Sequence, residues 1–134
     1  MIVDASVAIK WLVPETDTEV ANQLLARGDL VAPDLLASDV ANAIWKKRNR
    51  GEISGVPMGL GGLMRLFSRI EPTPPLLPRA TAIALELDHP AYDCFYLALA
   101  ETTGSTIVSA DQRLLRKLHG TAYAALVVGL AVAR

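Results

Sequence analysis

Short apolar runs that alternate with stretches of helical spacing set the narrowest limit on what this chain can become. Met1 to Asp4 reads as a buried strand, two β-branched residues closed by a carboxylate. Ser6 to Val13 is apolar at helical spacing and stops at Pro14. Thr16 and Glu19 form a capping-box pattern, Val20, Leu24 and Leu25 follow at helical positions, and Gly28 closes that helix. Leu30 to Ala32 is a second strand. Pro33-Asp34 opens a long helix over 35–50, with Asp34 as its cap, Leu36, Val40, Ala43 and Ile44 on one stripe, and Gly51 beyond its end.

Residues 52–70 also carry helical spacing and are expected to be helical. Gly55, Pro57, Gly59, Gly61 and Gly62 work against that, each glycine by about 1 kcal/mol. Arg69 to Thr73 reads as a third strand, and Pro72, Pro74, Pro75 and Pro78 mark a loop into a helix at 79–88. His89-Pro90 breaks it. Tyr92 to Thr103 is a strongly apolar helix, Thr106 to Ser109 a strand, and Asp111 to His119 a short helix. The apolar tail, Thr121 to Ala133, is too short for a membrane span and reads as a buried terminal strand. Strands alternating with helices predict an α/β class with a parallel sheet and helices on both faces.

At 134 residues the chain reads as one domain, 1–134, with enough surface to bury a core without a disulfide or structural metal. Thirteen Lys and Arg against fourteen Asp and Glu leave a net charge of −1, low for a protein that grips duplex DNA by charge alone. A single cysteine, Cys94, excludes an internal disulfide framework and a multi-cysteine zinc site. With no long apolar run and no leader pattern in MIVDASVAIK, the expectation is a soluble cytoplasmic protein with no membrane partner.

In such a sheet, functional residues gather at the carboxyl ends of the strands. Asp4 and Asp111 follow the first and the late strand; Asp93 lies in the first turn of the helix before that late strand, and Asp39 sits on the long helix. Grouped carboxylates are costly to bury unless a cation neutralises them, and oxygen-only ligands suit Mg²⁺ or Mn²⁺. An acidic cluster with one or two such ions suits phosphodiester hydrolysis. Asp93 and Asp111 equally fit plain helix caps. Asp4 fits that role less well, since Ser6 stands ready to cap.

The segments MIVDASVAIKWL, APDLLASDVANAIWKKRNRGEIS, YDCFYLALAETTG and TIVSADQRLL, in this order, resemble the PIN-domain family and within it the VapC-type toxins of bacterial toxin–antitoxin pairs. The resemblance implies a PIN-like three-layer α/β/α sandwich with a short, mostly parallel central sheet. It also implies a metal-dependent endoribonuclease silenced by a cognate VapB-type antitoxin, with RNA as substrate (tRNA, rRNA or mRNA). It places the family's first, third and fourth acids on Asp4, Asp93 and Asp111, its hydroxyl position on Ser109 and its polar position on Asn42. At the second acid the family carries glutamate, where this chain has Asp39, about 1.5 Å shorter in reach. That departure implies a weaker or water-mediated ligand and attenuated activity. A catalytically weak or inactive protein that binds RNA or antitoxin is therefore the alternative.

Other residues divide between structure and function. Lys46, Lys47, Arg48 and Arg50, with Arg113 beyond, form a solvated helix end or an RNA-phosphate contact. Trp11 and Trp45 are expected in core or interface, and Tyr92, Phe95 and Tyr96 in helix packing; with only seven aromatics in all, an aromatic RNA platform is not expected. His89 reads as a loop histidine, His119 as a helix-end cation and Cys94 as a small buried residue. A phosphoacceptor signalling domain would need paired acids after the first strand, and a haloacid-dehalogenase-type phosphatase an aspartate at position 6, which is serine. The high apolar fraction, with Pro74-Pro75-Leu76-Leu77, permits an oligomer; a homodimer or a toxin–antitoxin hetero-oligomer is what the resemblance implies.

Overall fold

The computed structural model describes residues 1–132. Five strands of two or three residues, β1 (Ile2–Val3), β2 (Val31–Pro33), β3 (Arg69–Glu71), β4 (Ile107–Ser109) and β5 (Val127–Gly129), make one sheet in the order β3-β2-β1-β4-β5. Every pairing is parallel, with Ile2 beside Val31 on one side and Ile107 on the other. Parallel neighbours need crossover connections rather than tight hairpins. These connections carry the helices: α1 (Ala5–Ala8), α2 (Thr18–Leu24), α3 (Leu36–Asn49), α4 (Leu77–Leu87), α5 (Ala91–Thr103) and α6 (Gln112–Leu118). Helix α5 packs on β2, β4 and α4; α1 packs on β4 and α3; α6 lies against β5. The expected three-layer α/β/α sandwich is the result.

Ile2, Val3, Ile107 and Val108 are buried, as central strands between two helical layers require. Each such side chain contributes about 1.5–3 kcal/mol by leaving water. Helix α5 supplies the longest continuous buried run among the described residues, Tyr96 to Ala100, in line with its apolar sequence. From β1 the chain builds outward through β2 and β3 on one side and through β4 and β5 on the other. The strand order therefore reverses between β1 and β4, and a crevice opens beyond their carboxyl ends.

Several local expectations fail for identifiable reasons. Residues 52–68 form turns and a 3-10 segment at Leu60–Leu66, not an α-helix, and Arg69 and Ile70 already belong to β3. The glycines' backbone entropy outweighs the apolar spacing, although Leu63 and Phe67 still reach the core. The first helix is shorter than expected, since α1 gives way to a 3-10 turn at Ile9–Trp11. Thr16 opens no capping box: α2 begins at Thr18, whose hydroxyl instead accepts from the Glu15 N–H at 2.9 Å. Asp34 does not cap α3. Its Oδ1 accepts from the N–H and hydroxyl of Thr73, at 3.2 and 2.7 Å, and so ties the end of β2 to the segment after β3. Only Val127–Gly129 of the tail is strand, because β4 offers just three residues to pair with. The last residue of that expected strand, Ala133, lies outside the described residues. Helix endings were better marked: Gly28 and Gly51 both follow helices at φ 75°, a conformation that glycine adopts without strain.

Candidate active site

The crevice beside β1 and β4 is where the aspartates meet. Asp4 leaves β1 in extended geometry and is itself the N-cap of α1, with Oδ1 accepting from the Val7 N–H at 3.3 Å. Ser6 is therefore not the cap. It lies inside the helix, where its hydroxyl donates to Asp4 Oδ1 at 2.5 Å and accepts from the Ala110 N–H at 2.8 Å. The Ser6 and Ser109 hydroxyls stand 3.3 Å apart, and Ser109 Oγ accepts from the Asp111 N–H at 3.1 Å. Two hydroxyls thus stitch the end of β1 to the end of β4. Asp111 caps α6, accepting from the N–H groups of Arg113 and Leu114 at 3.0 and 3.2 Å.

The opposite wall comes from helices. Asp39, on α3, accepts from the Tyr96 hydroxyl at 3.0 Å. Asp93, in the first turn of α5, lies 2.6 Å from His89 Nε2. All four aspartates, with Asn42 and Lys46, line one cavity of about 230 Å³. A recess of about 330 Å³ elsewhere, between Leu12–Pro14 and residues 53–57, contains no titratable side chain.

Electrostatics agree with the geometry. Burial pushes the Asp4 carboxyl up to about 6, against the pull of the Ser109 and Ser6 hydroxyls, and the neighbouring Asp93 charge adds to the rise. Burial also raises the Asp39 carboxyl, opposed by the Tyr96 hydrogen bond and aided by Asp93. Such carboxylates favour a positive ion between them. The donors are oxygens throughout, the set suited to a hard divalent cation. Among the described residues, no three carboxylate, histidine or cysteine side chains yet converge into a closed cage. Each acid is held by its own donor.

The basic cluster separates. Lys46 faces the cavity. Lys47 is drawn the other way, into ion pairs with Glu15 and, at 3.1 Å, Glu52; Lys10 also binds Glu15. Arg48, Arg50 and Arg113 are exposed, outside the residues lining the cavity. Tyr92 is not packed as expected: it is 66% exposed at the cavity's rim, and Trp45 is 58% exposed on α3. Ser6, Tyr96 and His89 hold the acids, roles that the sequence reading did not assign. One signal was available for Tyr96, since it stands three residues after Asp93 and so shares that face of its helix.

The model of the PIN domain matches residues 1–119. The chain belongs to the PIN-domain family. Its curated relatives are VapC proteins. It is 32% identical to Ribonuclease VapC3 of Pyrobaculum aerophilum, over 87% of this chain and 93% of that one. It is 33% identical to Ribonuclease VapC9 of Mycobacterium tuberculosis, over 85% and 87%. The crystal structure of PAE2754 from Pyrobaculum aerophilum shares the fold, with a TM-score of 0.68 at 23% identity, covering 97% of this chain and 83% of that one. The signalling and phosphatase alternatives do not survive this assignment.

Proposed function

We propose that this chain, one domain over 1–134, is a VapC-type toxin that hydrolyses RNA phosphodiester bonds at the acid cavity. The observation that carries the reading is the meeting of Asp4, Asp39, Asp93 and Asp111, from both sides of the sheet's switch point, in one cavity. Asp4, Asp93 and Asp111 would hold Mg²⁺ or Mn²⁺, one ion or two, with Asp39 helping directly or through water. A divalent cation held there would supply an activated water and neutralise charge on the leaving oxygen. Ser109 and Ser6 keep Asp4 and the Asp111 main chain in register, Asn42 orients substrate from α3, and Lys46 meets the RNA backbone. Arg48, Arg50 and Arg113 extend the phosphate contact outward, whereas Lys47 serves the fold.

A VapB-type antitoxin and a homodimer or toxin–antitoxin hetero-oligomer complete the proposal, with the cytoplasm as its place of action. No helix among the described residues is long and apolar enough to cross a membrane. The decisive experiment is cleavage of single-stranded and structured RNA with Mn²⁺, Mg²⁺ or EDTA. Metal-dependent cutting by the parent and none by Asp4→Asn is the expected result; equal cutting by both, or cutting in EDTA, refutes it. A second reading, a catalytically weak protein that acts by binding, is favoured by Tyr96's hold on the short Asp39 side chain. Asp39→Glu cutting much faster than the parent would support it.

A further inference from the structure

The acid cavity does not end at the acids. A recess of about 480 Å³ overlaps it, sharing Asp39, Asn42, Lys46, Tyr92, Asp93 and Asp111 and extending past them to Ser38 and Pro90. On one side α3 presents Ser38, Asn42 and Lys46, four residues apart and therefore on one helical face. On the other stand Pro90 and the Tyr92 ring. All five are exposed. The hydrogen bonds and ion pairs of this part of α3 run through its neighbours Asp39 and Lys47, and leave the Ser38, Asn42 and Lys46 side chains free among the described residues. Tyr92 stacks on no other ring of the chain, Trp11 and Phe67 being the aromatic pair among the described residues.

Resting on the ribonuclease reading, we infer that this recess is a subsite for one unpaired nucleobase next to the cleaved phosphate. Tyr92 supplies the stacking face, Ser38 and Asn42 read the base edge, and Lys46 pairs with the adjoining phosphate. The volume lies within the usual span of small-ligand pockets, roughly 300–1,000 Å³. Sequence-specific proteins read single-stranded RNA by this combination of aromatic stacking and polar contacts to an exposed base edge. Continuity with the acids fixes the occupant: a base in the recess leaves its own phosphodiester over the cavity. A chain held there would be cut at a place chosen by the base rather than by the acids.

The test uses the full chain in two arms. In EDTA, a fluorescein-labelled short RNA of random sequence is titrated by anisotropy. Tyr92→Ala should weaken binding about tenfold, and Tyr92→Phe should bind like the parent, because stacking needs the ring and not the hydroxyl. With Mn²⁺, sequencing the product ends of a random RNA pool should show a base preference at one position beside the cut. Ser38→Ala should flatten that preference. Parental affinity and end preference in Tyr92→Ala overturn the subsite, and so does a Tyr92→Phe variant as weak as Tyr92→Ala. So does a Tyr92→Ala variant that loses only self-association, which would mark the ring as a protein contact. A parent that cuts no RNA, yet loses affinity through Tyr92→Ala alone, sinks the hydrolytic reading and keeps the base site. A parent that cuts, with Tyr92→Ala its equal, sinks the base site alone.

Discussion

Asp4 and Asp111 are fixed by main-chain donors at the ends of β1 and β4, whereas Asp39 and Asp93 each lean on one side chain, Tyr96 and His89. The sheet wall is set by the fold itself. The helix wall is set by two partners that can be removed without touching the backbone. On the proposed reading, an incoming cation would find two carboxylates already in place and two able to shift to meet it. The difference assigns separate consequences to changes on each wall.

The largest effect belongs to the sheet wall. Asp111→Asn and Asp4→Asn should each lower metal-dependent RNA cleavage on the order of a thousandfold or more, measured as kcat/KM with Mn²⁺. Activity near the parent's in either would end the distinction between walls. The same Asp4→Asn change should stabilise the protein. Asp4 titrates at about 6 when folded against 3.8 in an open chain, so the folded state takes up its proton first as the pH falls. The stability linked to this group is fully present below about pH 4 and is lost as the pH rises through about 6. At neutral pH the ionised carboxylate therefore opposes folding by about 3 kcal/mol, and asparagine, which can still cap α1, removes that penalty. Urea denaturation at pH 7 should show the gain, and Mn²⁺ should narrow it by stabilising the parent only.

The helix wall should answer more gently. Tyr96→Phe and His89→Gln, which release Asp39 and Asp93, should each weaken Mn²⁺ binding and cleavage about tenfold, as loss of a ligand's outer partner commonly does. Calorimetric titration of Mn²⁺ separates this from a folding defect, and parental affinity in both variants would show that the helix-wall donors are incidental. The smallest effects distinguish two adjacent lysines. Lys46→Ala should raise KM a few-fold and reduce the salt slope of RNA binding by about one. Lys47→Ala should leave that slope alone and cost under about 1 kcal/mol of stability, as loss of a partly exposed ion pair does.

The sheet wall was also the legible one. β-branched pairs followed by carboxylates mark Asp4 and Asp111 because a parallel sheet exposes its function at strand ends. What escaped was the role of Asp4 as a cap. A buried strand end and a helix start one residue apart look, in sequence, like competing explanations, and here a single carboxylate serves as both. The helix wall depends on contacts that no local pattern encodes: Tyr96 meets Asp39 across 57 residues of chain. The stretch 52–70 misled because apolar spacing reports which residues seek the core, and Leu63 and Phe67 do reach it, while the glycines decide the backbone that takes them there.

Cys94 follows Asp93 directly, is wholly buried, and has its thiol pushed up to about 11 by burial and the Asp93 charge. At neutral pH it stays protonated and poorly nucleophilic, shielded from peroxide and alkylating reagents. As the chain's lone sulfhydryl, it makes a built-in reporter of breathing at the start of α5: the rate at which iodoacetamide captures it measures how often that turn stands open.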